Sequence, residues 1–453
     1  MAEALGSAGG LARGASLTER RSAFVLGGGV AGLTAAFGLA DRGFRVTLLE
    51  SRPTCGGRAY STYDRVFARE VDNGFHVMLG CYRAMRSLCR RLGSEDGFQQ
   101  APRLQMGYRF GDGASTSLAL SRLPVPLAMP PALLRLRIGA GARLRALFGM
   151  ASVTLGAPSG WTFAEWLRRR WQRGEPADLL WRPLCLAVMN CEPEEADARM
   201  FLATLREAFF GGAASAALWV PEKTWGELIG APAAPALMAA GVEVRTSARV
   251  ASFEVRDGHV AAIHLAGKGQ ISTNGEDVVV SAMPWFALQR TLGDRAPAAI
   301  GRLQSAPIVT VYFDVAVGVP PPDEGPVTAL VGGCPFHFLL RTPGESASRF
   351  ALLSGGDRTL DGMSVAEVTA SARDHVERYY PGVDLQQAVI RVRREQHATF
   401  VPDPATAGDR PSPGRLSGGP TNLFVCGDWT ATGFPATLEG AARSSEQMLA
   451  AIS

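Results

Sequence analysis

The sequence predicts an α/β protein: a Rossmann-type dinucleotide-binding domain assembled from several stretches of chain, with an α+β substrate domain inserted into it. Three observations predict this. A glycine-rich turn joins an apolar strand to a helix near the start, a β-rich segment with turn signals lies in the middle, and an apolar strand followed by a helix closes the chain. With 453 residues and 47% hydrophobic content there is room for two or three units of ~100–200 residues and a substantial core. The same figures exclude a disordered chain, a collagen and a disulfide miniprotein.

The first ordered element is Ser22–Leu26, which runs into GGGVAGLTAAFGLADRGFRVTLLE, one βαβ unit. Gly27-x-Gly29-x-x-Gly32 sits between its first strand and its helix, and Glu50 ends the second strand. Gly27 makes the tight turn, Gly29 lets backbone approach a pyrophosphate, and Gly32 brings helix and strand together. Glu50 accepts hydrogen bonds from ribose hydroxyls. Amphipathic helical patterns follow to about Trp225. From Val242 the chain turns β-rich, with a D-G turn at Asp257-Gly258 and strands through DVVVSAMP, then at 308–315 and, more weakly, at 351–354. Residues 402–420 read as a Pro/Gly/Ser loop, 422–426 as a buried strand and 436–452 as the last helix. The expected partition is a flexible tail at 1–21, a cofactor domain at 22–100, 222–300 and 398–453, and a substrate domain at 101–221 and 301–397.

Charge narrows the function. The 46 basic and 42 acidic residues leave a net charge of +4, which is no nucleic-acid footprint. Seven cysteines, scattered and without a CxxC pair, read as reduced cytosolic thiols. The tail has no apolar stretch of the kind a signal peptide needs, and glycines and prolines interrupt the longest uncharged run, at 146–164, so no membrane span is expected.

Directly after Glu50 comes Ser51-Arg52-Pro53-Thr54-Cys55-Gly56-Gly57-Arg58, the pattern E-x-R-P-x-x-G-G-R. Its glycine pair permits close backbone approach and Arg58 offers a phosphate a charge-assisted contact. This pair of motifs resembles the flavin-containing amine oxidase and phytoene desaturase superfamily, which implies FAD and adds Arg52 and Gly57 to the cofactor set. NLFVCGDWTATGFPATLEGAARSS is similar to the superfamily's closing flavin motif. The resemblance implies that Gly427 and Asp428 meet the ribityl-pyrophosphate region, that the helix start at Thr437 and Leu438 faces the flavin ring, and that the Val250 backbone contacts the adenine. A helix N-terminus favours the negative charge of a reduced flavin. Neither Cys426 nor Cys55 is placed to attack the ring, so the FAD is expected to be non-covalent.

Amine oxidases of the superfamily commonly carry a lysine near the flavin on a substrate-domain strand. The candidate strand at 307–315 has none, Lys223 and Lys268 being the only lysines, and Phe434 and Thr437 stand where tyrosines are frequent. Amine oxidation is therefore disfavoured. No second G-x-G-x-x-G follows a strand, so an external electron donor is expected unless the substrate itself reduces the flavin.

Within the superfamily, EVDNGFHVMLGCYRAMRSLCRRLGSED, PLCLAVMNCEPEEADA, SAPIVTVYFD and GDWTATGFPATLEGA resemble the hydroxysqualene dehydroxylases. That resemblance implies a hydrophobic C30 isoprenoid substrate and the reduction of hydroxysqualene to squalene, feeding hopanoid or other triterpenoid synthesis. An allylic hydroxyl leaves poorly as hydroxide and needs a proton donor. His76 is the leading candidate, with Asp72 orienting it or serving as the acid. The alternative is that both only hydrogen-bond backbone around the cofactor loop. The other five histidines show no metal-ligand spacing. Two rival functions are a carotenoid-type desaturase and a non-catalytic binding protein on the same fold, comparable to Rab escort proteins.

Between Asp112 and Glu165 there is no acidic residue, while Arg122, Arg135, Arg137, Arg143 and Arg145 are interleaved with apolar runs. Segment 123–153 therefore reads either as a membrane-docking helix pair or as ordinary substrate-domain helices with solvated arginines. The expected location is the cytoplasm, and the inner face of the cytoplasmic membrane if that segment docks.

Overall fold

The computed structural model describes residues 20–452 except 102, 213, 268, 316–324 and 342–348. Most of the expected tail, residues 1–19, and Lys268 lie outside the described residues. The central sheet has six strands in the order Glu243–Arg245, Arg45–Leu49, Ser22–Leu26, Val278–Ser281, Leu423–Val425 and Gly414–Arg415. The first five are parallel and the sixth is an antiparallel edge. Parallel strands are covered on both faces, which is why Val278, Val279 and Val280 are all buried and show no alternation. Helices Val30–Asp41 and Leu438–Ala450 pack on one another beside this sheet, Leu449 filling the space over Gly38. The early strands step outward to one side of Ser22–Leu26, and Val278–Ser281 returns on the other. The crevice at the carboxyl end of Ser22–Leu26 is therefore a topological switch point, where open α/β sheets bind ligands.

The turn at that crevice depends on Gly32. A Cβ there would stand 1.8 Å from the Gly27 carbonyl oxygen, inside any permitted contact, so helix and strand approach this closely only without a side chain.

A second sheet of seven strands runs Val389–Phe400, Ser305–Asp314, Arg349–Gly355, Phe338–Arg341, Val327–Val331, Gln105–Phe110, Ser115–Ala119. It is antiparallel except where Val327–Val331 meets Gln105–Phe110. Helix Val365–Tyr379 covers part of it over a separate apolar cluster that includes Val311, Phe313, Val368 and Val376. Pro307 lacks an N–H, and the pairing of Ser305–Asp314 with Val389–Phe400 shifts register between Ala306 and Ile308. The main core is continuous from the six-stranded sheet into the helices of the 125–210 region.

Two local readings need correction. Residues 402–420 are not only loop: Pro404–Asp409 is a helix whose N-cap, Asp403, accepts from the Thr406 amide at 2.6 Å, and Gly414–Arg415 is the sheet edge. Aspartate before proline at the first helical position was a legible helix start. Strand Val389–Phe400 was also missed, because its apolar residues are broken by Arg391, Arg393 and Arg394. Arg391 and Arg393 are held there by Asp64, at 3.2 and 3.1 Å.

Gly32→Ala should destabilise the protein by about 3 kcal/mol, the upper end of overpacking costs, and lower its flavin content. An unchanged denaturation midpoint would mean that the Gly27–Gly32 contact does not constrain the fold.

Candidate active site

The glycine turn and the loop after Glu50 form one unit. Glu50 is buried, and its Oε2 accepts from the Gly28 amide at 2.6 Å. Its Oε1 accepts from the Ser51 hydroxyl and the Arg52 amide at 3.0 and 2.8 Å. A carboxylate has about four acceptor positions, so Oε2 keeps one for a sugar hydroxyl. Backbone bonds from the Ala248 amide to the Glu50 carbonyl and from the Ser247 amide to the Arg52 carbonyl bring the start of strand Val250–Arg256 beside Glu50. Arg52 is exposed, donates to the Gly57 carbonyl and lies over the Tyr60 ring at 4.2 Å. In this structure it braces the loop.

Gly28 was not singled out from sequence, yet a Cβ there would stand 2.9 Å from the Cys55 sulfur and 3.1 Å from Glu50. Gly29 bridges Gly56, and a Cβ on Gly57 would lie 2.9 Å from the Gly29 Cα. The two glycine segments thus face each other as bare backbone. Helix Val30–Asp41 starts at Gly29 with no capping side chain and no acidic residue in its first turn. Its free amides and dipole suit a pyrophosphate.

Arg58 lies deep in the protein yet keeps 32% of its side chain accessible, as a residue lining a cleft does. It donates to Asp428 Oδ1 at 2.5 Å and to the Ala398 carbonyl at 2.7 Å. The first and last flavin motifs are therefore joined directly. Gly427 has φ +140° and donates its amide to the Ser444 hydroxyl at 2.7 Å. Thr437 caps the last helix, its hydroxyl accepting from the Gly440 amide at 2.9 Å. Leu438 is then the first helical residue, as the resemblance requires for a helix end facing the ring.

Arg410, unnoticed in the sequence, organises this corner. It is buried, sits 4.5 Å from the centre of the Phe400 ring, and donates to the carbonyls of Asp428, Trp429, Thr430 and Phe434. Burial pulls its pKa down to about 10, still charged at neutrality, while Asp428 and Asp197 oppose the shift. Nothing in D-R-P-S-P marks it except an arginine between loop prolines.

The loop 72–76 joins the cofactor turn to the seven-stranded sheet. The Tyr312 hydroxyl donates to the Asp72 carbonyl at 3.1 Å and Asn73 donates to Glu395 at 2.8 Å. Asp72 and His76 do not touch in this arrangement. Asp72 Oδ1 accepts from the Ser61 hydroxyl at 2.6 Å and the Trp225 amide at 2.8 Å. His76 Nδ1 lies 2.8 Å from the Gly74 carbonyl, and its ring meets the edge of Trp225 at 5.7 Å. Trp225 is the link between the two. Burial raises Asp72 to about pKa 6, against the hydrogen bonds from Ser61 and Trp225. Burial lowers His76 to about 4, with the Arg58 charge adding to the shift against the Gly74 bond. At neutral pH His76 is uncharged with its hydrogen on Nδ1, since a carbonyl can only accept, and Nε2 is an acceptor. Asp72 makes no hydrogen bond to His76, and burial disfavours the charged form of the imidazole.

These features define a nucleotide-cofactor site at a sheet switch point, closed by a C-terminal motif. The chain belongs to the flavin containing amine oxidoreductase family, which it matches over residues 30–448. It is an FAD-dependent oxidoreductase. It is 27% identical over 428 residues to a hydroxysqualene dehydroxylase of Rhodopseudomonas palustris, covering 94% of this chain and 97% of that one. A zeta-carotene desaturase of Zea mays is 38% identical over only 72 residues, 16% of this chain and 12% of that one. Among solved structures, an oxidoreductase from Methanosarcina mazei superposes with a TM-score of 0.73 at 14% identity, over 94% of this chain and 99% of that one, a likeness of fold.

Glu50→Ala should weaken FAD binding by ~1–3 kcal/mol and give folded but largely colourless protein. Arg58→Ala should lose flavin as much while also lowering the melting temperature, because it leaves the buried Asp428 without its cation. Full flavin occupancy in both variants would mean that the cofactor lies elsewhere. A pH test addresses Asp72. Its folded pKa of about 6 lies above the ordinary 3.8, so the stability linked to its proton is present below 3.8 and lost as pH rises through 6. Asp72→Asn keeps the acceptor for Ser61 and Trp225 and removes that loss. Its melting temperature should exceed the wild type's well above pH 6 and converge with it below 3.8. A variant that melts lower at high pH would show a carboxylate stabilised by its site.

Proposed function

We propose that this oxidoreductase reduces hydroxysqualene to squalene by reductive dehydroxylation, in hopanoid or other triterpenoid synthesis. The observation that carries this reading is the extent of the similarity: it spans nearly the whole of a hydroxysqualene dehydroxylase, whereas the similarity to a carotenoid desaturase covers a sixth of the chain. FAD in its reduced form supplies the hydride to the carbon skeleton. Glu50, Arg58, Asp428 and the bare glycine backbones would hold the nucleotide, and the helix start at Thr437 and Leu438 would offer its amides to the flavin. A non-covalent FAD accords with burial raising the thiols of Cys55 and Cys426, the two cysteines nearest the cofactor motifs, to about 11 and about 12. Neither forms a thiolate nucleophile at neutral pH.

The departing hydroxyl needs a proton, and Asp72 is better matched to supply it than His76. With a pKa of about 6 it holds a proton in part of the molecules near neutrality. His76 contributes Nε2 as an acceptor that positions the substrate hydroxyl. Electrons enter from an external donor. A C30 isoprenoid partitions into lipid, so the enzyme works from the cytoplasm on the inner face of the membrane. No helix among the described residues is long and apolar enough to cross one.

The test is anaerobic flavin spectroscopy. Reduced enzyme mixed with hydroxysqualene should regain the oxidised flavin spectrum with formation of squalene. If the isoprenoid instead bleaches oxidised flavin, the enzyme is a desaturase and the proposal fails.

A further inference from the structure

Helices Val125–Leu133 and Ala140–Ser152 pack against each other and into the core through Ala128, Met129, Ala132, Ala142, Ala146 and Met150. Their outer faces are also apolar. Leu127 on the first helix, with Leu123 just before it and Leu134 at its C-terminal cap, and Leu144 and Phe148 one turn apart on the second, with Leu155 in the turn that follows it, all face outward. These six side chains are 44–71% exposed. Trp171, 63% exposed, adds its ring 5.7 Å from that of Phe148. Of the thirteen exposed large hydrophobics among the described residues, seven belong to this helix pair, its ends or the Trp171 ring beside Phe148, a local concentration unlike the single scattered residues normal on a soluble protein.

Between Asp112 and Glu165 every charged residue is an arginine. Arg122, Arg135, Arg137 and Arg145 are exposed. Glu165 is engaged in the Thr162 helix cap, while Glu175, exposed, accepts from the Gly139 amide at 3.0 Å at the start of the second helix and places one carboxylate at the edge of this surface. Arg143 differs from its neighbours: it donates to the carbonyls of Leu133, Leu134 and Leu136 at 3.2–3.4 Å and closes the first helix. It is a structural cap, so a test of surface charge should leave it in place.

We propose that this helix pair docks the protein on the anionic headgroup layer of a bilayer, with the outward leucines, Phe148 and Trp171 in the acyl boundary. The partner follows from complementarity. Exposed leucines with an aromatic pair beside them fit the interface, and a run of arginines that outnumbers the single neighbouring carboxylate of Glu175 fits its negative surface. The inference rests on the proposed lipid-dissolved substrate for its purpose, but its evidence is independent of the reaction. Docking places the substrate domain against lipid, so that a triterpene need not cross water.

The holoenzyme would be sedimented, without substrate, with vesicles of phosphatidylcholine alone or with added phosphatidylglycerol, at low and high salt. One variant carries Leu144→Ser and Phe148→Ser, the other Arg122→Gln, Arg135→Gln and Arg145→Gln. All five positions are exposed, so flavin content and melting temperature should match the wild type. Wild type should co-sediment with anionic vesicles and release in high salt, and each variant should partition at least about tenfold less. Absence of wild-type binding, or equal binding by wild type and both variants, would overturn the proposal. So would a wild-type dimer dispersed by the serine variant, which would assign the surface to a second copy of the chain. Because no turnover is measured, failure here leaves the proposed reaction standing, and failure of the anaerobic experiment leaves docking standing.

Discussion

The pairing of Arg58 with Asp428 closes the molecule on itself. The two residues are 370 positions apart, and their 2.5 Å contact joins the loop after the first βαβ unit to the turn after the last parallel strand. Everything that makes a dinucleotide cleft depends on these two turns facing each other: the bare glycine backbones on one side, and Gly427 and the Thr437 helix cap on the other. The pair is also costly to break. The Asp428 side chain is 7% exposed, and a buried carboxylate left without its cation is penalised more than the pair itself is favoured. The same constraint explains why the cofactor domain is assembled from separated stretches of chain: the inserted segments must return the chain to this point.

Arg410 solves the accompanying problem of backbone satisfaction. The chain from Asp428 to Phe434 turns repeatedly, and its carbonyls point inward where water is scarce. Orphaned buried carbonyls cost free energy comparable to lost hydrogen bonds. A guanidinium has five donors in a rigid fork, and here it serves four of these carbonyls. Its charge is tolerated at depth because of those dipoles and the Phe400 ring. A neutral side chain could not serve that many acceptors from one position.

Much of this was legible in sequence because the nucleotide site is local. Gly27, Gly29, Gly32 and Glu50 fall within one βαβ unit, where spacing and backbone geometry are coupled. The closing strand, Thr437 and the last helix are likewise contiguous. What sequence did not show are the residues whose role arises from partners far along the chain. Arg410 meets its carbonyls only after the edge strand has formed, Gly28 is an x in the motif until Cys55 packs over it, and Trp225 connects Asp72 to His76 from 150 residues away. The strand Val389–Phe400 was obscured for the same reason, since its arginines read as surface until Asp64 is placed opposite them. Titration belongs to this class too. His76 read in isolation is a histidine poised near neutrality, but burial and the Arg58 charge remove its proton.

That shift also bears on what the cleft can hold. An amine substrate would be attracted to unpaired negative charge, and here Asp428 is already matched by Arg58. His76 is neutral, and Asp72 is pushed by burial toward its own neutral form. Along loop 72–76 Asn73 is bound to Glu395, and strand Ser305–Asp314, which faces that loop through Thr310 near Gly74, carries no lysine. A long hydrocarbon bearing one hydroxyl would bury little charge in such a site. The outer helices, with leucines facing outward and arginines at the rim, extend the same chemistry to the surface.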